Sequence, residues 1–136
     1  MIFVTGGRAQ GKTDFALELW KMLPAGEKTA PVIADGRTCT RREAENCGIL
    51  IHMEEYVRRG MEAGRDMAGE VGELCRNSGI SVICADEVGL GIVPADPLLR
   101  RFRDEAGRCS RIAAAQADEV YRVVCGIPAC LKKSGR

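Results

Sequence analysis

The chain has 136 residues, 46% of them hydrophobic, with 20 Lys plus Arg against 19 Asp plus Glu and a formal net charge of +1. That length suits a single domain over residues 1–136 with one core, and the near-neutral balance supplies no whole-molecule field to draw nucleic acid or an anionic membrane surface, so neither is expected as a partner. No apolar run approaches the roughly 20 residues that span a bilayer, and the opening Met1-Ile2-Phe3-Val4-Thr5 reads as a strand and not as a signal peptide, so a soluble, cytoplasmic protein is expected.

Apolar runs rich in Val and Ile alternate with segments of helical period, which predicts an α/β fold with a mostly parallel sheet and helices on both faces. The first run, Met1 to Thr5, passes through a glycine loop into a helix whose stripe is Phe15, Ala16, Leu19 and Leu23, ending near Pro24-Ala25-Gly26. A second strand, Ala30 to Ala34, runs into Asp35-Gly36-Arg37. A polar stretch follows, and Ile49, Met53, Val57 and Met61 then mark a helix that Gly60 and Gly64 weaken at its far end. Ala68 to Asn77 is helical, Ser78-Gly79 breaks it, and the strand Ile80 to Ala85 ends in Asp86-Glu87. Asp96-Pro97 starts a long helix, because the carboxylate accepts from free first-turn amides and the fixed φ of proline suits the first helical position. Leu98, Leu99, Phe102, Ala106, Cys109, Ile112, Ala113 and Gln116 track its buried face, and Glu119 to Cys125 is the last strand.

Seven cysteines are many for this length, but the number is odd, no CxxC pair occurs and most lie in apolar segments. They are expected to be reduced, buried thiols that behave as small hydrophobes, and not a disulfide framework or a zinc site.

The segment Gly6-Gly7-Arg8-Ala9-Gln10-Gly11-Lys12-Thr13 has the spacing G-x-x-x-x-G-K-[ST], set between a strand and an amphipathic helix. Glycines let successive amides turn inward around phosphate oxygens at a helix start, Lys12 adds positive charge, and the hydroxyl of Thr13 suits Mg2+ bridging the terminal phosphates of ATP or GTP. Asp86 and Glu87, at the end of the third apolar run, fit the acidic partner of such a loop: a carboxylate that helps hold the metal or orients an acceptor. An acidic pair that merely closes a strand at the solvent boundary is the plainer alternative. Val88-Gly89-Leu90-Gly91-Ile92-Val93-Pro94 is too apolar for an ordinary surface loop and is expected to act as a flexible cover that approaches a ligand or a neighbouring subunit.

With these segments in place, the chain resembles the bifunctional adenosylcobinamide kinase/adenosylcobinamide-phosphate guanylyltransferases. The resemblance is carried by Met1 to Thr13, by Asp86 to Pro94, by Phe102-Arg103-Asp104-Glu105-Ala106-Gly107-Arg108 and by Ala117-Asp118-Glu119-Val120-Tyr121 to Gly126-Ile127. It implies a doubly wound P-loop NTPase-like fold, often a trimer, that phosphorylates the aminopropanol hydroxyl of adenosylcobinamide and then attaches GMP. It also implies a histidine, on the helix after the second strand, that takes GMP from GTP as a phosphoramidate. The middle of the chain departs from the family by being shorter, with loss of part of the second helix region and of a strand with its acidic end.

His52 is the single histidine. At helical spacing it falls beside Ile49 and Tyr56, with Glu55 near enough to orient a ring nitrogen and Arg59 on the same side. It is therefore a candidate nucleophile, and equally an ordinary boundary histidine. Arg58 and Arg59 either neutralise phosphate or solvate their helix. Three functions stay open: a corrinoid transferase in which Lys12, Thr13 and Asp86 or Glu87 serve the triphosphate, its metal and the acceptor; a non-catalytic ATP- or GTP-binding relative acting as sensor or accessory protein; and a kinase for an unrelated hydroxyl. The apolar sheet edge left by a missing element would need cover, so a homo-oligomer is expected.

Overall fold

The computed structural model describes residues 1–24, 29–89, 91 and 95–135. Six strands form one sheet: β1 (Ile2–Gly6), β2 (Ile33–Asp35), β3 (Ile49–Ile51), β4 (Val82–Asp86), β5 (Glu119–Val124) and β6 (Ile127–Lys133), in the order β2-β3-β4-β1-β5-β6. All neighbours are parallel except β5 and β6, an antiparallel pair joined at Cys125-Gly126. The expected mostly parallel α/β sheet is thus present. Five helices complete the described chain: α1 (Lys12–Met22), α2 (Arg41–Glu45), α3 (Met53–Glu62), α4 (Met67–Asn77) and α5 (Pro97–Gln116).

Strand alternation divides the core into two layers. Ile2, Val4, Ile49, Val82, Cys84 and Val123 face α1, where they meet Ala16, Leu19 and Trp20. Phe3, Leu50, Ile83 and Val120 face the other way and pack with Met53, Tyr56 and Val57 of α3, Val71 and Leu74 of α4, and Cys109 and Ala113 of α5. Helices therefore cover both faces, as the apolar runs predict. Each fully buried Val, Leu or Ile here contributes about 1.5–3 kcal/mol relative to exposure.

Four sequence expectations need correction. Ile49 does not begin a helix: Ile49–Ile51 is a strand between β2 and β4, and α3 starts only at Met53. Three apolar residues buried on both faces fit either a buried strand or a helix turn, so periodicity could not separate them. The polar stretch before this strand contains α2, whose N-terminus is a capping box: the Thr40 side chain accepts from the Glu43 amide and Glu43 accepts from the Thr40 amide. The chain also has a strand beyond Glu119–Val124, namely β6. Finally, Leu98 and Leu99 stand exposed. The buried residues of their 20-residue helix, Ala106, Cys109 and Ala113, all lie beyond its first two turns, so those turns add no buried residue to the core. Its start is as predicted, with the Asp96 side chain accepting from the Leu98 amide and Pro97 at the first turn.

α1 stops at Met22, and the expected terminator Ala25-Gly26 lies outside the described residues, as do Leu90, Ile92, Val93 and Pro94 of the expected cover. No helix among the described residues is long and apolar enough to cross a membrane. The seven cysteines are all free thiols, with Cys125 and Cys130 exposed.

Candidate active site

β1 delivers the glycine loop to the carboxyl end of the sheet, between β4 and β5. Gly6 has φ 151, and a Cβ there would lie 2.4 Å from the Val123 carbonyl oxygen, so a larger residue would force β5 away. Ala9 at φ 56 and Gly11 at φ 94 turn the backbone inward to α1. Gly11 caps α1 with no side chain, so the helix offers its first amides to whatever fills the loop.

The loop is braced from the far end of the chain. The Gln10 side-chain oxygen accepts from the Cys125 amide at 2.7 Å, and the Gln10 carbonyl accepts from the Gly126 amide at 2.9 Å. The two-residue β5–β6 turn thus holds the loop's outer rim.

Beneath the rim is a hollow of about 320 Å³, lined by Arg8, Ala9, Gln10, Gly11, Lys12, Thr13 and Asp14 together with His52, Cys84 and Asp86. Lys12 is only 8% exposed. Its ammonium donates to the Gly7 carbonyl at 2.6 Å and pairs with the Asp86 carboxylate at 2.6 Å. Cys84 lies under the start of α1, its thiol pointing at the Lys12 carbonyl, and burial pushes that thiol up to about 12.

The structure brings Lys12, Thr13, Asp86 and His52 to one place. Glu87 goes elsewhere: its amide donates to Gly6, and its carboxylate accepts from Arg122 at 2.7 and 3.0 Å. His52 follows β3 directly, in a left-handed conformation at φ 54, as the N-cap of α3. This puts it at the sheet's carboxyl edge and not on the helix flank that helical spacing suggests. Gly36 makes the position possible, because a Cβ there would lie 2.0 Å from the His52 carbonyl oxygen.

The expected partners of His52 also change. Glu55 pairs with Arg58, which reaches Glu62 as well, and Arg59 donates to the carbonyls of Gly36 and Cys39. Glu54, which the sequence did not single out, takes the place expected for Glu55. One of its oxygens accepts from the Asp86 amide at 2.9 Å and the other lies 3.4 Å from His52 Nδ1. Glu54 is 5% exposed, and burial, aided by the nearby Asp86 charge, raises its carboxyl above the usual range. The signal was available: Glu54, Val57 and Met61 share the inward stripe of α3, where an acid has no reason to be unless it is used.

Comparison with known proteins gives one family match, to the model described as Cobinamide kinase / cobinamide phosphate guanyltransferase, over residues 47–131. That span contains His52, Glu54, Asp86, Glu87 and Arg122, while the glycine loop lies before it. Over 51 residues the chain is 53% identical to the bifunctional adenosylcobalamin biosynthesis protein CobU of Salmonella typhimurium and 51% identical to the Escherichia coli protein of the same name, in each case 38% of this chain and 28% of the relative. It is 39% identical over 62 residues to the bifunctional adenosylcobalamin biosynthesis protein CobP of Pseudomonas aeruginosa, 46% of this chain and 34% of the relative. The chain thus matches about a third or less of the length of these curated relatives.

Proposed function

The chain belongs to the cobinamide kinase / cobinamide phosphate guanyltransferase family, and we propose that it is a nucleotide-dependent transferase of cobalamin biosynthesis or salvage, moving a phosphoryl group from ATP or GTP to the hydroxyl of adenosylcobinamide. The observation that carries this reading is the convergence of Lys12, Thr13 and Asp86 on the hollow under an uncapped helix start. The free amides and the ammonium suit the β- and γ-phosphates, and Lys12 would exchange Asp86 and the Gly7 carbonyl for phosphate oxygens. Thr13 and Asp86 are hard oxygen donors that suit Mg2+, which would neutralise charge on the terminal phosphates. In the transfer, the acceptor oxygen bonds to the γ-phosphorus as its bond to the bridging oxygen breaks. The nucleoside diphosphate leaves, and the hydroxyl proton passes to the Asp86 carboxylate at the end of β4.

Incubation with γ-labelled ATP or GTP, Mg2+ and adenosylcobinamide should label the corrinoid, and Lys12→Ala should abolish the label. Nucleotide binding without label transfer would sink the enzyme reading and leave the accessory or sensor protein; transfer to other hydroxyls alone would leave a kinase of different acceptor.

A second transfer is favoured by one observation: His52 lines the same hollow. Its free ring nitrogen would attack the α-phosphorus of GTP, with pyrophosphate leaving. Acid-labile label from α-labelled GTP, absent in His52→Ala, is the test. A cytoplasmic homo-oligomer, a trimer by resemblance, belongs to the same reading. Exposed Val32 and Ile33 on one edge of the sheet, and Ile127 and Leu131 on the other, support a covered surface. Sedimentation as a monomer at micromolar concentration would refute it.

A further inference from the structure

We infer that His52, Glu54 and Asp86 form a divalent-cation site whose nitrogen donor selects Co2+ or Zn2+ over Mg2+. This rests on the reading of the hollow as a phosphate site and revises it in two respects: Asp86 holds Co2+ or Zn2+ in place of Mg2+, and His52 goes to that cation instead of to a transferred nucleotide.

Each of the three side chains offers one donor atom, and these atoms lie within 4.8 Å of one another. Donors bound at about 2.1 Å in a tetrahedron stand about 3.4 Å apart, so side-chain rotations that bring the atoms together by about an ångström close the set. The donors come from two adjacent strand ends: His52 follows β3 and Asp86 ends β4, while Glu54 reaches across to the Asp86 amide. That bond fixes the Glu54 carboxylate and leaves its other oxygen turned toward His52 Nδ1.

The charge pattern points the same way. Two carboxylates stand close together, one of them 5% exposed, and Lys12 at 2.6 Å is the ammonium that balances them. When phosphate draws Lys12 away, Asp86 and Glu54 are left without that balance, and a cation restores it. Phosphate and cation should therefore bind cooperatively. Mg2+ prefers six oxygens and keeps its waters, whereas an imidazole suits later divalent metals such as Co2+ and Zn2+.

The test is a Co2+ titration of the full chain carrying Cys125→Ser and Cys130→Ser, which removes the exposed thiols as competing ligands. It is followed by visible absorption and by proton NMR, with and without a non-hydrolysable GTP analogue. With a single histidine in the chain, the expected result is one saturable equivalent of Co2+ with one set of paramagnetically shifted imidazole signals. Affinity should rise several-fold with the analogue and fall at least tenfold in His52→Ala and in Glu54→Gln, both checked for folding by circular dichroism. Tenfold more Mg2+ should displace little Co2+. Absence of shifted imidazole signals under both conditions overturns the assignment, as does equal affinity in folded His52→Ala, or acid-labile label from α-labelled GTP that is lost in His52→Ala. Binding of a fluorescent GTP analogue in excess Mg2+ reports the phosphate loop separately. Its failure beside an intact Co2+ signal would refute the phosphate reading and leave the cation site standing.

Discussion

Lys12→Ala should destabilise the fold by about 2 kcal/mol with no nucleotide present. At the observed 2.6 Å separation and an effective dielectric of about 20, the Lys12–Asp86 attraction is about 6 kcal/mol, most of it offset by removing both groups from water. Truncation of one partner in a fully buried pair costs about 3–5 kcal/mol, because the other charge is left unpaired. Asp86 keeps 17% of its side chain exposed, which lowers that cost. In a domain of this size 2 kcal/mol corresponds to a fall in Tm of about 8 °C. Asp86→Asn should cost less, since Lys12 keeps the Gly7 carbonyl. The Lys12→Ala/Asp86→Asn double variant should regain part of the loss, because no charge is then orphaned. Thermal unfolding followed by circular dichroism, at equal protein concentration and without nucleotide, measures all three. A Lys12→Ala protein with the wild-type Tm, or a double variant less stable than the sum of the singles, would refute the reasoning.

Gln10→Ala removes the bond to the Cys125 amide, worth about 1 kcal/mol; faster hydrogen exchange at Cys125 and Gly126 and weaker nucleotide binding are expected. Arg37, bonded to Asp35 at 2.7–3.1 Å, holds that carboxyl below its ordinary value. Asp35 therefore contributes stability that is present above the ordinary aspartate range and is lost as pH falls through the lowered value. Arg37→Ala should accordingly move the acid-unfolding midpoint to higher pH in a circular-dichroism titration. Of the seven thiols, Cys125 and Cys130 are exposed, whereas burial pushes Cys47 and Cys75 up to about 11 and Cys84 and Cys109 up to about 12. An aromatic disulfide reagent at pH 8 should titrate two thiols quickly in the native protein, and fast reaction of more than two would contradict the buried assignments.

Where a local pattern determines a local structure, the sequence was sufficient. The glycine loop had its flanking strand and helix, Asp96-Pro97 capped α5, and the apolar runs Met1 to Thr5 and Ile80 to Ala85 placed both central strands. Ile49–Ile51 was missed because it is only three residues long, too short for an apolar run to be told from a turn of the helix that follows it. β6 was missed because its residues are mostly exposed and its pairing with β5 comes from the Cys125-Gly126 turn. His52 was recognised as a candidate but placed on the wrong element, an error that followed from the missed strand: with β3 read as helix, the histidine fell on a helix flank and Glu55 became its neighbour. The hollow depends on contacts between residues more than thirty positions apart, such as Glu54 with Asp86 and Lys12 with Asp86, and no local period carries those.

The brace between Gln10 and the Cys125-Gly126 turn joins residues 115 positions apart, which bears on the order in which the protein acquires its parts during synthesis. The glycine loop leaves the ribosome before β4 and β5, the strands that flank β1, and the amides that hold the loop's rim come later still. A nascent chain halted before residue 119 would carry the whole glycine-loop motif while lacking the wall against which Gly6 packs. Nucleotide should therefore fail to protect such an intermediate from proteolysis and should begin to do so only when the β5–β6 hairpin has emerged.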